Sequence, residues 1–131
     1  MDPNRLRSIE LLSTLSEDDL RRISTFATET SVGEGQVLMR EGDYATDLVG
    51  IEEGTADVTR SGQTIATLSG GDVFGEMGLV DKARRSASVV STSPMRLIKL
   101  THWDVKRLPR ETRDRLEQVV HERRAADASR Q

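Results

Sequence analysis

Phe74-Gly75-Glu76-Met77-Gly78-Leu79-Val80-Asp81-Lys82-Ala83-Arg84-Arg85-Ser86-Ala87-Ser88-Val89 decides how the rest of the chain is read. Gly75 follows Phe74, a carboxylate comes next at Glu76, and Arg85 stands nine residues after that carboxylate. If the residues after Gly75 form one turn of helix, their first amides lack intrahelical partners and can face an anion. Arg85 offers a planar fork of donors that suits phosphate oxygens. Glu76, ionised, only accepts hydrogen bonds, so it needs a donor beside the phosphate, and a sugar hydroxyl is one. Ser86 adds a donor, Gly78 keeps the floor of the site small, and Gly75 permits close approach or a positive φ. The same spacing also fits an exposed Glu76–Arg85 ion pair worth about 0–1 kcal/mol.

On both sides of this run lie short β-type segments at Gln36–Arg40, Leu48–Glu52, Ala56–Arg60, Thr64–Leu68, Ala87–Ser91 and Arg96–Leu100. Turns separate them at Gly33-Glu34-Gly35, Gly42-Asp43, Glu53-Gly54, Ser61-Gly62 and Gly70-Gly71-Asp72, and Pro94 turns the chain between the last two. Several short strands at regular spacing predict an antiparallel sandwich or roll over about residues 30–101. Gly50, inside one of the strands, predicts a bulge or a thinner core. Ahead of the roll, a helical lead-in is expected over about 9–28. Within it an amphipathic helix is expected at roughly 17–28, with Ser16 as N-cap, Asp19 as a short capping-box acid, and Leu20, Ile23, Phe26 and Ala27 as its apolar face. Behind it come Trp103, Val105 and Leu108, ended by Pro109, then a charged helix over about 110–125 striped with Leu116, Val119 and Val120. Residues 126–131 read as a frayed polar tail.

The whole is expected to be one domain, mainly β with flanking helices, since 131 residues suffice for one core. A formal charge of −3 supplies no global field for nucleic acid, so an anion site must be built locally. The chain has no cysteine, which removes disulfides and thiolate metal sites. No apolar run reaches membrane-spanning length, and the first residues lack a signal-peptide core, so a cytoplasmic protein is expected. His102 and His121 have no acid or cysteine partners at metal spacing, which leaves them surface or capping roles. Trp103 reads as a packing anchor. The arginines from Arg107 to Arg124 alternate with Glu111, Asp114, Glu117 and Glu122, the pattern of a solvated helix face rather than a DNA grip. Neither a nucleophilic triad nor a His/Asp metal cluster stands out, so no enzyme is expected.

The run from Phe74 to Val89 closely resembles the phosphate-binding cassette of the cyclic nucleotide-binding domain family. That family includes protein kinase A regulatory subunits, cyclic nucleotide-regulated channels and catabolite activator protein. The match is in register at Phe74 to Val80 and at Arg85 to Val89, and departs mildly at Arg84, where many members carry proline. Gly35-Gln36-Val37-Leu38, Arg40-Glu41-Gly42-Asp43, Glu53-Gly54 and Gly71-Asp72 extend the resemblance over about residues 9–125. It implies an antiparallel β-roll of double-stranded β-helix type, with cassette 74–89 and C-terminal lid helices over about 102–125.

Carried over residue by residue, the resemblance gives the ribose hydroxyl to Glu76 and the cyclic phosphate to Arg85. The amides of Gly75, Met77, Gly78 and Ala87, with Ser86, complete the cradle behind Phe74. Val58, Ala66 and Leu68 fall where the family lines its purine pocket, and Val119, Val120, Arg123 or Arg124 fall where a lid would cover the base. The implied protein is a stand-alone sensor of cyclic AMP, less favourably cyclic GMP. It needs no other cofactor and acts on an unidentified effector protein through its C-terminal helix. Two other readings stay open: a ligand-free interaction module on the same roll, and a DNA-binding regulator.

Overall fold

The computed structural model describes residues 1–43, 47–75 and 87–129, with side chains as far as Glu122. Two short helical pieces come first: α1 at Pro3–Leu6 and a 3₁₀ turn at Glu10–Leu12. Asp2 caps α1 through its side chain and Pro3 takes the first helical position, where a missing N–H costs nothing. This Asp-Pro signal precedes the expected lead-in and marks a helix that periodicity is too short to reveal. Helix α2 follows at Glu17–Phe26, and the Asp19 amide donates to Ser16 Oγ at 3.1 Å.

Among the described residues, eight strands build the roll: β1 Thr28–Val32, β2 Val37–Met39, β3 Asp47–Glu53, β4 Ala56–Arg60, β5 Gln63–Leu68, β6 Val73–Phe74, β7 Ser88–Ser91 and β8 Met95–Thr101. They form two four-stranded sheets, β1-β8-β3-β6 and β2-β7-β4-β5, and each strand pair is antiparallel. β1 and β6 add to the six strands expected. The first is a polar edge strand with no apolar alternation, and the second spans only two residues.

The first sheet is a middle layer. Leu48, Val73, Ile98 and Leu100 face a core shared with Leu6, Ile9, Leu12, Leu20, Ile23 and Leu116 of the helices. Val49, Ile51, Phe74, Met95 and Leu97 face the second sheet, where Ala56 and Val89 meet them. A strand buried on both faces loses its apolar–polar alternation, which is why Arg96–Leu100 shows the pattern only in part.

Gly50 corrects one expectation. The register runs evenly through Gly50↔Ile98, and the shift in β3 falls later, between Ile51 and Glu53. Gly50 is instead the slot for Ile9: a Cβ there would stand 2.9 Å from Ile9 Cδ1. The core is filled from the helical side rather than thinned. Glu10 N–H also donates to Gly71 O at 2.9 Å, and Arg5 pairs with Glu29 of β1 and Glu52 of β3. The N-terminal helices are therefore fastened to the middle sheet and the turn before β6 by the Ile9 contact, one backbone hydrogen bond and two ion pairs.

After β8, α3 runs His102–Arg107 and α4 runs Arg110–Ser129. Thr101 and Asp104 form a reciprocal capping box at the start of α3. Trp103 is not a packing anchor: it is 72% exposed. Val105 and Leu108 point inward, and Trp103 precedes Val105 by two residues, about 200° around the helix. Lys106 Nζ lies 5.0 Å from its ring centroid, and His102 meets its edge. Helix α4 also continues through much of the expected frayed tail, where Ala126 and Ala128 favour helix without an apolar stripe.

Candidate functional site

The approach to the cassette is fixed by backbone geometry. β6 pairs with β3 through Val49↔Phe74 and Gly50↔Val73, which lays Phe74 into the core between the sheets. The chain then leaves the strand at Gly75 with φ 79°, a left-handed backbone that glycine adopts without a Cβ penalty. On the far side, Ala87 is buried and leads directly into β7. Glu76, Met77, Gly78, Arg85 and Ser86, together with the rest of 76–86, lie outside the described residues.

The residues assigned to the base pocket sit on one face of the second sheet. Val58 pairs with Ala66, and Ala56 pairs with Leu68, so these four side chains share one side of the β4–β5 hairpin. Val58 and Leu68 are half-buried against the cluster that holds Phe74 and Val89. Ala66, nearer the hairpin tip, is exposed. Ile65, which stands beside the register shift between Val58 and Thr59, alternates with Ala66 to the opposite face and is 49% exposed. The result is an apolar floor that opens to solvent towards the hairpin tip and has Phe74 at its inner end.

The proposed lid residues are elsewhere. Val120 is fully buried and Val119 half-buried in the helical core, on the other side of the middle sheet from Val58 and Leu68. The side chains of Arg123 and Arg124 lie outside the described residues. Among the described residues there is no group of three or more His, Cys, Asp or Glu that could hold a metal ion. No helix among them is long and apolar enough to cross a membrane.

One polar cluster has no counterpart in the sequence reading. Asp19 of α2 is fully buried, and its carboxylate accepts from Thr112 Oγ1 at 2.8 Å, Arg115 Nη2 at 2.8 Å and Arg115 Nε at 2.5 Å, all on α4. Arg22 Nη1 lies 3.6 Å from the same carboxylate and donates to Thr112 Oγ1 at 3.4 Å. The Arg115 hydrogen bond, foremost, holds the Asp19 carboxyl down at about 2, with Thr112 assisting against the cost of burial. Arg115 is thus a structural partner rather than part of a purely solvated face. Because the folded form prefers Asp19 ionised, its stabilisation is complete above the ordinary value of 3.8 and fades as pH falls towards 2. Urea midpoints measured from pH 7 to pH 2 should drop across that window. Asp19→Asn should flatten this part of the profile; an unchanged profile would remove Asp19 from the acid response.

Comparisons with known proteins agree with this geometry. The profile of the family described as "Cyclic nucleotide-binding domain" matches residues 29–112. The cAMP-dependent protein kinase regulatory subunit of Pyricularia oryzae is 32% identical over 110 residues, which covers 82% of this chain and 28% of that protein. Thermus thermophilus catabolite activator protein superposes with a TM-score of 0.77 at 26% identity, over 92% of this chain and 60% of that one. The regulatory domain of Toxoplasma gondii PKA, crystallised with cAMP, gives a TM-score of 0.74 at 26% identity, over 86% of this chain and 45% of that one. The chain spans about a quarter of the length of the curated relatives it matches.

Proposed function

Because this chain belongs to the cyclic nucleotide-binding domain family, we propose that it binds cyclic AMP, and cyclic GMP less well, as a regulatory module. The observation that carries the reading is the meeting of Phe74, Val58 and Leu68 in one cluster beside the left-handed turn at Gly75. That arrangement supports an apolar base site next to the start of the cassette. In this reading Arg85 neutralises the cyclic phosphate and Glu76 accepts from the ribose hydroxyl, with Ser86 and the amides of Gly75, Met77, Gly78 and Ala87 around them. The module acts by binding rather than catalysis, in the cytoplasm. It passes the signal to an effector protein by repositioning α4, whose arrangement over the base differs in free energy from its packing on the helices.

Calorimetric titration of the protein with cyclic AMP, cyclic GMP and 5′-AMP tests this. Micromolar binding of cyclic AMP, about −8 kcal/mol, is expected, with weaker cyclic GMP and no measurable 5′-AMP. Absence of heat and of any melting shift with both cyclic nucleotides would reject it in favour of a ligand-free interaction module.

A further inference from the structure

We propose that the Asp19–Thr112–Arg115 cluster is a latch that holds α4 against α2 and thereby sets how readily the domain takes its ligand. The proposal rests on the reading of α4 as the moving element. Along α4, Thr112, Leu116 and Val120 recur at four-residue spacing and all three are fully buried. Leu116 and Val120 join the core built with α1, the 3₁₀ turn and α2, while Thr112 and Arg115 hold Asp19. The inner stripe of α4 is therefore committed to the helices rather than to the floor formed by Val58, Ala66 and Leu68. A helix that closes over that floor has to give up part of this stripe.

The cluster is built to release. Three of the hydrogen bonds on the Asp19 carboxylate come from α4, so a movement of α4 breaks them together. Arg115 is 47% exposed, and Arg22, from α2 itself, is 46% exposed. When α4 leaves, water reaches Asp19 from the same side, and Arg22 remains beside it as a counter-charge. The carboxylate is then not stranded in an apolar core, which is the condition that makes buried pairs prohibitively costly to open. An interaction present in one arrangement of α4 and absent from the other lowers the competent fraction, and weakens apparent binding in proportion.

The test replaces both charges without stranding either, with the double variant Asp19→Asn/Arg115→Gln. Because the chain has no cysteine, spin labels at Thr25→Cys on α2 and Gln118→Cys on α4, both exposed positions, report the separation of the two helices. Circular dichroism confirms that each protein is folded. Before ligand is added, the parent should give one narrow distance and the double variant a broader distribution reaching longer distances. Cyclic AMP should bind the double variant about tenfold more tightly, within the range usual for such couplings. Equal distance distributions in the two proteins, or weaker binding by the variant, would overturn the latch. If neither protein binds cyclic nucleotide, the ligand reading fails instead, and the distance comparison by itself decides the latch.

Discussion

Arg85→Ala is expected to weaken cyclic AMP binding by about thirtyfold or more, whereas Arg84→Ala should leave it nearly unchanged. Removing one partner of a desolvated charge pair costs roughly 2–5 kcal/mol, and each 1.4 kcal/mol is about tenfold in affinity. Micromolar affinity would then fall towards millimolar. The two arginines are adjacent and identical in charge, so a general field effect would respond equally to either change. Only a directed contact with the phosphate separates them. Calorimetry on both variants, with melting temperatures as a folding control, makes the comparison. Equal losses, or the reverse order, would remove Arg85 from the site.

Gly54→Ala should cost about 3 kcal/mol or more of stability, a large share of the roughly 5–15 kcal/mol typical of a domain. Gly54 turns the chain from β3 to β4 with φ 101°, and an added Cβ would stand 2.5 Å from Pro94 O and 2.9 Å from Met95 Cα. Both are backbone atoms at the start of β8, and Met95 is buried between the sheets. Neither side can yield without moving a strand of the middle layer. Gly62→Ala is the control: its φ is 81°, yet a Cβ there meets nothing within 4 Å. It should lose only the backbone preference, about 1–2 kcal/mol. Urea denaturation of the two variants would expose a false assignment if their losses were equal.

Much of the fold is legible locally. The glycines that punctuate the strands at Gly35, Gly42, Gly54, Gly62 and Gly71 all take positive φ, so composition alone marks the turns of the roll. Helix α2 follows from a serine cap and the spacing of Leu20 and Ile23. What escapes is what depends on two distant segments at once. Asp19 and Arg115 stand 96 residues apart, and nothing in either neighbourhood signals that one carboxylate will meet that guanidinium. Gly50 looks like a weakness in its strand until Ile9 is seen to fill it. Trp103 attracts a core assignment because large apolar residues are usually inside, but the phase of Val105 and Leu108 turns it out. At the candidate site, Phe74 and the floor residues can be placed by register. Glu76 and Arg85 are tied to chemistry only by the motif they share with the family.

The two sheets differ in how many neighbours they must satisfy, and this divides the domain's freedom to vary. β3 and β8 meet the helices on one face and the second sheet on the other, so a change of volume there disturbs two packed interfaces. Exchanges that preserve size are the tolerable kind. The second sheet answers to a single core; Asp57, Thr67 and Val90 on its other face are half-exposed or exposed. Divergence among relatives can therefore accumulate on β4, β5 and β7 while the central layer stays nearly fixed. A lineage could retune its pocket floor, residue by residue, without renegotiating how its helices dock.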